Sequence, residues 1–187
     1  MNIFILDNDP VKAAQDQCDK HVVKMIIESA QMLSTVHRMV DGVMERRPSK
    51  SGSMIQYFKL EDIRETTLYK ACHFNHPSTV WTRECSKNYE WHYDHFVALC
   101  DEYTFRYGKI HMTDTKLRKA LRHAPFEIKQ TETMTPFKLA MGSNPECIFE
   151  DAVKSYRAFY HTKQDRFKMV WSKRIAPSWW NSSESLA

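Results

Sequence analysis

The sequence predicts an all-α chain, a single compact multi-helix domain over 1–187 entered through a short extended N-terminal arm. Two observations carry that expectation. Four glycines in 187 residues are few for several strands joined by tight turns. Apolar residues also recur at three- and four-residue steps over long stretches, the period of a helix. The length suits one domain with an ordinary core, and 42% hydrophobic with 27% charged residues is usual for a globular chain.

The elements follow in order. Met1-Asn-Ile-Phe-Ile-Leu-Asp7 reads as a buried strand or extended arm closed by Asp7-Asn-Asp-Pro10. It lacks the basic start, long apolar centre and small-residue cleavage site of a signal peptide. Asp9 as N-cap and Pro10 at the first position open a helix over 10–16. A longer helix covers 19–41 and ends near Gly42. Residues 46–56, centred on Arg46-Arg-Pro-Ser-Lys-Ser-Gly-Ser53, are polar and breaker-rich and read as a mobile loop. Residues 60–71 offer a short helix. Pro77-Ser78 starts a long helical region closed by Gly108, with Trp81, Tyr89, Phe96 and Leu99 on its buried face. Thr113 or Asp114 caps a basic helix, 116–123, that stops before Pro125. Residues 125–146 form connecting loop with one short helix, and Glu150–Phe167 is a last amphipathic helix. The polar tail, 181–187, should fray.

The helix over 19–41 holds the most informative pattern. Val22, Val23, Ile26, Ile27, Ala30, Leu33, Val36 and Val40 line one face; Lys20, Lys24, Glu28, Gln31, Thr35 and Arg38 line the other. One carboxylate among bases is what an anionic-substrate site needs when an acid must also move protons. The plain alternative is a solvated face with Lys24–Glu28 as an i,i+4 pair worth a few tenths of a kcal/mol.

A second constellation is His73-Phe-Asn-His-Pro77, followed by Trp81, Arg83, Asn88, Tyr89 and Trp91. Asn75, His76, Arg83 and Asn88 could contact phosphate at a helix entrance while Trp81 stacks on a base. The alternative places Trp81 and Tyr89 in the core and makes Asn75 a cap. Lys116, Arg118, Lys119 and Arg122 put several cations within two turns, either phosphate contacts or a solvated face. Of the adjacent Trp179 and Trp180, one should be available for surface stacking.

Other classes find no support. No phosphate-binding loop, dinucleotide fingerprint or serine nucleophile elbow is present. His73, His76, His92 and His95 make two His-x-x-His pairs without a Cys or carboxylate companion, so no metal is expected. Five cysteines without a Cys-x-x-Cys pair suit buried thiols in a reducing cytoplasm. No apolar run approaches a membrane span, and a formal charge of +4 permits a polyanionic partner.

Taken together, these features resemble the bacteriophage-type pyrimidine-dimer DNA glycosylase/abasic-site lyase family and its bacterial relatives. The carriers are the apolar arm, Asp19-Lys20-His21 with Glu28 seven residues after His21, and Asn75-His76-Pro77 leading into Trp81-x-Arg83. Arg106-Tyr-Gly108 and Pro177-Ser-Trp179-Trp180 add to them. The resemblance implies a helical domain with Glu28 as catalytic carboxylate beside the N-terminus and His21 near it, with no metal or organic cofactor. Lys20, Lys24, Asn75, His76, Trp81, Arg83, Asn88, Lys116, Lys119, Arg122 and Trp179 would touch duplex DNA bearing a damaged or modified base. No obligate protein partner is implied, and the setting would be the cytoplasm of a bacterial or phage-infected cell. The phage branch exposes its nucleophilic amine by removing the initiator Met before a small residue. Here the second residue is Asn2, so the amine would be that of Met1, or Lys20 or Lys24, or water would take its place. A base- or nucleotide-modifying enzyme on the same scaffold and a non-catalytic nucleic-acid binder are the rival readings.

Overall fold

A computed structural model describes residues 1–181, with the backbone alone considered at Asn181. The helices are α1 (Pro10–Gln15), α2 (Asp19–Asp41), α3 (Arg64–Thr67), α4 (Pro77–Glu84), α5 (Ser86–Tyr107), α6 (Met112–Leu117), α7 (Ala152–His161) and α8 (Ser178–Asn181). Strands β1 (Val43–Pro48) and β2 (Met54–Lys59) lie between α2 and α3. None of the described helices is long and apolar enough to cross a membrane.

The all-α expectation is therefore corrected. The chain is mostly helical but mixed, because β1 and β2 pair antiparallel, Val43 opposite Lys59 and Pro48 opposite Met54. The residues read as a mobile loop are the outer half of this hairpin and its turn. Neither strand has a fully buried position, and Tyr57 and Phe58 reach the body at Glu65 and Phe74, so the period-two pattern of a half-buried strand is missing. Gly42 permits the turn from α2 into β1: a Cβ there would lie 2.3 Å from the Arg38 carbonyl oxygen and 2.9 Å from that of Lys59.

Other boundaries shift for local reasons. The helix expected over 60–71 is only the four residues of α3, because Glu65 and neighbouring carbonyls turn toward Arg38. The long helix from Pro77 breaks at Cys85, whose φ and ψ of −163° and 166° are fully extended, and restarts as α5. Gly108, with φ of 68°, closes α5 in the left-handed conformation that glycine adopts without penalty. The basic helix lies earlier, at α6, so Lys119 and Arg122 fall in the turns after it. The last long helix stops at His161 and continues as a 3-10 turn, Thr162–Asp165. The tail expected to fray, 181–187, lies outside the described residues apart from the backbone of Asn181.

Asp9 caps α1 as its sequence implies, accepting from the Val11 and Lys12 amides at 2.8 Å. Helix α5 packs across α1 and α2, and α2 also packs on α4. The second half of α2 is enclosed on both sides. Arg38, expected on a solvated stripe, is 1% exposed; its guanidinium meets Glu65 at 2.6 Å and the carbonyls of Tyr69, Phe58 and Leu68. Thr35 is buried as well and bonds to Cys72. The polar stripe is thus open to solvent only in its first turns, where the arm arrives.

Candidate active site

Residues 3–6 of the arm are all buried, which explains a run with no polar break. Asn2 fixes its entry. Its backbone N–H donates to Glu28 Oε2 at 2.9 Å, its Nδ2 donates to the Ala140 carbonyl at 3.0 Å, and its Oδ1 accepts from the amides of Ile3 and Phe4. An asparagine side chain that bonds to amides just downstream stabilises a turn. Phe4 takes the positive φ of 55° beyond this turn, and its ring stacks on His21 with centroids 4.6 Å apart.

This path carries the Met1 amine to 3.8 Å from Glu28 Oε2. Lys24 Nζ reaches the other oxygen, Oε1, at 3.2 Å. The Glu28 side chain is only 12% exposed. It lines a cavity of about 240 Å³ and is that cavity's sole carboxylate among the described residues, facing the Met1 amine, Lys24, Lys163 and Arg166. A larger groove of about 390 Å³ over α1 and α5 is lined by Asp94, Asp101 and Glu102, with Arg174 paired to Glu102.

His21 lines the same cavity. Burial, then the nearby Lys24 and Lys163 charges, push its pKa down to about 4, so the ring is neutral at pH 7. Its Nδ1 lies 2.8 Å from the Tyr160 hydroxyl, which accepts from the Cys18 amide. The assignment that satisfies this chain has Tyr160 donating to Nδ1, which leaves the proton on Nε2 of a cavity-lining ring. His21 then acts as a neutral N–H donor.

His76 joins the site from α4. As N-cap it accepts the Ser78 amide on Nδ1 at 3.2 Å. The Met1 backbone also acts on the ring, with a hydrogen-bonding contribution that raises its pKa. Burial, followed by the N-terminal ammonium, lowers its pKa against the opposing pull of that contribution and of Glu28. The role expected of Asn75 as cap thus belongs to its neighbour, and Asn75 is exposed in the preceding loop.

Several residues expected to meet DNA serve packing instead. Trp81 is 1% exposed, with Nε1 donating to the Thr135 carbonyl and its ring against Trp91 and Phe137. Asn88 is buried and tied to Trp81 and Thr135. Trp179 is buried with Nε1 donating to Asp16 at 2.7 Å, while the half-buried Trp180 stacks on His161. Arg83 donates to the Phe74 carbonyl and holds the loop before α4. Lys116 lies over Tyr69, whose carbonyl binds Arg38. Arg38 is about 15 Å along α2 from Glu28 at 1.5 Å per residue, so Lys116 does not line the cavity. Lys119 and Arg122 are exposed in the turns beyond it. Lys20 is exposed at the rim, with Nζ 4.7 Å from the centroid of Phe167, a cavity residue.

The sequence reading missed Lys163, Arg166, Phe159 and Phe167, all supplied to the cavity by α7 and the turn after it. The available signal was Lys163-x-x-Arg166, whose three-residue step puts both cations on one side of a helical turn. Among the described residues no group of three or more His, Cys, Asp or Glu could hold a metal ion. His92 bonds to Thr82, and His95 lies between Gln17 and the Pro10 carbonyl. Comparison with protein-family models, with curated proteins and with solved structures found no match.

Proposed function

We propose that the chain is a DNA glycosylase with abasic-site lyase activity, acting on a damaged or modified base in duplex DNA. The observation that carries this reading is the Met1 amine 3.8 Å from a nearly buried Glu28, in a cavity whose lining also includes Lys24, Lys163 and Arg166. The nucleophile is the Met1 amine in its neutral form. Its lone pair attacks the sugar C1′ while the C1′–base bond breaks, and that bonding pair leaves with the base, which takes up a proton. The nitrogen loses a proton and the sugar ring opens, its oxygen becoming a hydroxyl, to give an imine. Removal of a C2′ proton then expels the 3′ phosphate with its bonding pair. Glu28 stabilises the oxocarbenium-like sugar and relays protons. His21 offers an N–H to an oxygen of the sugar or base. A flipped nucleotide costs a few kcal/mol to extrude, least for a damaged pair.

The rival reading as a plain binder makes Glu28 a solvated partner of Lys24. A convex, exposed Glu28 would favour it; a carboxylate 12% exposed in a cavity supports an enzyme instead. The test is borohydride reduction during incubation with abasic duplex. The expected result is a protein–DNA adduct that peptide mapping places on residue 1, abolished by a short N-terminal extension that leaves the fold intact. An adduct on Lys20 or Lys24 would move the nucleophile to α2. On duplexes that carry a damaged or modified base, base release without any adduct would mean water as nucleophile, and the absence of both adduct and base release would refute the proposal.

A further inference from the structure

Lys163 is 8% exposed and lines the Glu28 cavity from the 3-10 turn after α7. Among the described residues its ammonium has no hydrogen bond and no carboxylate within ion-pair distance; it rests 3.5 Å from the centroid of Phe159. Glu28, the cavity's one carboxylate among the described residues, is already engaged by Lys24, Met1 and the Asn2 amide. A cation without an anionic partner at the wall of a cavity is placed to take up an anionic ligand. Arg166, three residues on, brings a second cation to the cavity wall and has no ion pair among the described residues. Burial, then the Arg166 and Lys24 charges, lower the Lys163 pKa against an opposing pull from Cys147.

We infer that Lys163 and Arg166 form a phosphate subsite, so that the cavity takes a deoxynucleotide through its phosphate. Two uncompensated cations match a phosphate better than a carboxylate. A guanidinium binds two phosphate oxygens in a fork, while an ammonium acts as a point charge on the third. The cavity's 240 Å³ lies below the roughly 300–1,000 Å³ of drug-sized sites, which suits the phosphate and sugar of one nucleotide and not a base pair. This inference rests on the glycosylase reading for the sugar chemistry beside Glu28, but the subsite itself is read from the cations.

The test compares thymidine with its 5′- and 3′-monophosphates, which differ only in the phosphate, by calorimetric titration of the full chain. At least one monophosphate should bind ten-fold or more tightly than the nucleoside, and an abasic duplex should compete with it. Lys163→Met should lose most of that preference, and because it removes an unpaired charge its thermal midpoint should hold or rise. Arg166→Met, at an exposed position, should lose part of it and guards against a folding artefact at residue 163. Equal binding of nucleoside and both nucleotides, or a preference that survives both substitutions, would overturn the subsite. A phosphate preference without duplex competition would keep the subsite and assign it to free nucleotides. Adduct formation with abasic duplex in the absence of any phosphate preference would sink the subsite alone, leaving the lyase reading in place.

Discussion

Acidification from pH 7 to 5 should destabilise the protein through its buried histidines, before any carboxylate titrates far. His21, His37 and His95 are 6%, 2% and 0% exposed, and burial is the leading cause that takes each to a pKa of about 4. In the unfolded chain the reference value is about 6.5. The unfolded state therefore binds protons at a pH where the folded rings stay neutral, and stability falls as pH drops from about 6.5 toward 4. Each ring contributes up to about 3 kcal/mol over that window, and about 1.4 kcal/mol by pH 5.5. Three rings together give about 4 kcal/mol at pH 5.5, comparable with a total domain stability of 5–15 kcal/mol. Burial also lowers His76, His92, His111 and His161, which adds in the same direction. The carboxylates act later: Glu65, held near 2, loses its contribution only as pH falls below its unfolded value. Urea midpoints at half-unit pH steps measure the effect, and imidazole NMR titration assigns it. A flat midpoint between pH 7 and 5, or rings of His21 and His37 that titrate near 6.5 in the folded state, would refute the reasoning.

Four further outcomes are expected. Glu28→Gln keeps an oxygen to accept the Asn2 amide, so folding should change little while base release falls a hundred-fold or more, on the order of 3–4 kcal/mol; unchanged release would remove Glu28 from the mechanism. Asn2→Ala strips three side-chain hydrogen bonds from the arm and should cost about 2 kcal/mol in chemical denaturation; an unaltered midpoint would mean the arm is held by its apolar residues alone. Arg38→Met takes the cation from Glu65, which keeps only the Tyr57 hydroxyl and the Leu60 amide, and the donors from several carbonyls, and should cost about 3 kcal/mol or more by the same measurement. Lys24→Gln, at the cavity, should lower the salt slope of duplex binding by about one unit, and Lys116→Gln, distant from it, should leave the slope as it was; the opposite pattern would place the DNA on α6.

The parts of the fold that were legible are those whose residues leave local traces. Asp9-Pro10, the apolar period of α2 and Gly108 each act within a turn, so spacing alone reveals them. Long-range enclosure is invisible to that kind of reading. Arg38 looks like one more cation on a polar stripe, and only the return of residues 58–69 across α2 makes it a buried hub. The hairpin was hidden because its exposed Val43, Met44, Met54 and Ile55 give no one-sided pattern. The same limit applies to the site. Glu28 and Lys24 share a helix and could be paired from sequence, whereas Lys163 and Arg166 arrive from about 135 positions away, after a loop whose course no periodicity encodes.

Glu28 also holds the structure and the proposed chemistry in one group. Oε2 accepts the Asn2 amide and faces the Met1 amine, while Oε1 meets Lys24. The carboxylate is therefore part of what keeps the chain start in place, and a substitution that removes its oxygens would displace the amine as well as the charge. Glu28→Ala should fail in two ways that Glu28→Gln separates: a looser arm, read by faster amide exchange at Ile3 and Phe4, and lost turnover. If Glu28→Gln kept slow exchange at those amides and still lost turnover, the charge would be the active quantity. If both variants loosened the arm equally, activity loss would say nothing about proton transfer, and the carboxylate would rank as a positioning group for the amine. The arm is short enough that one anchor at residue 2 decides between these cases.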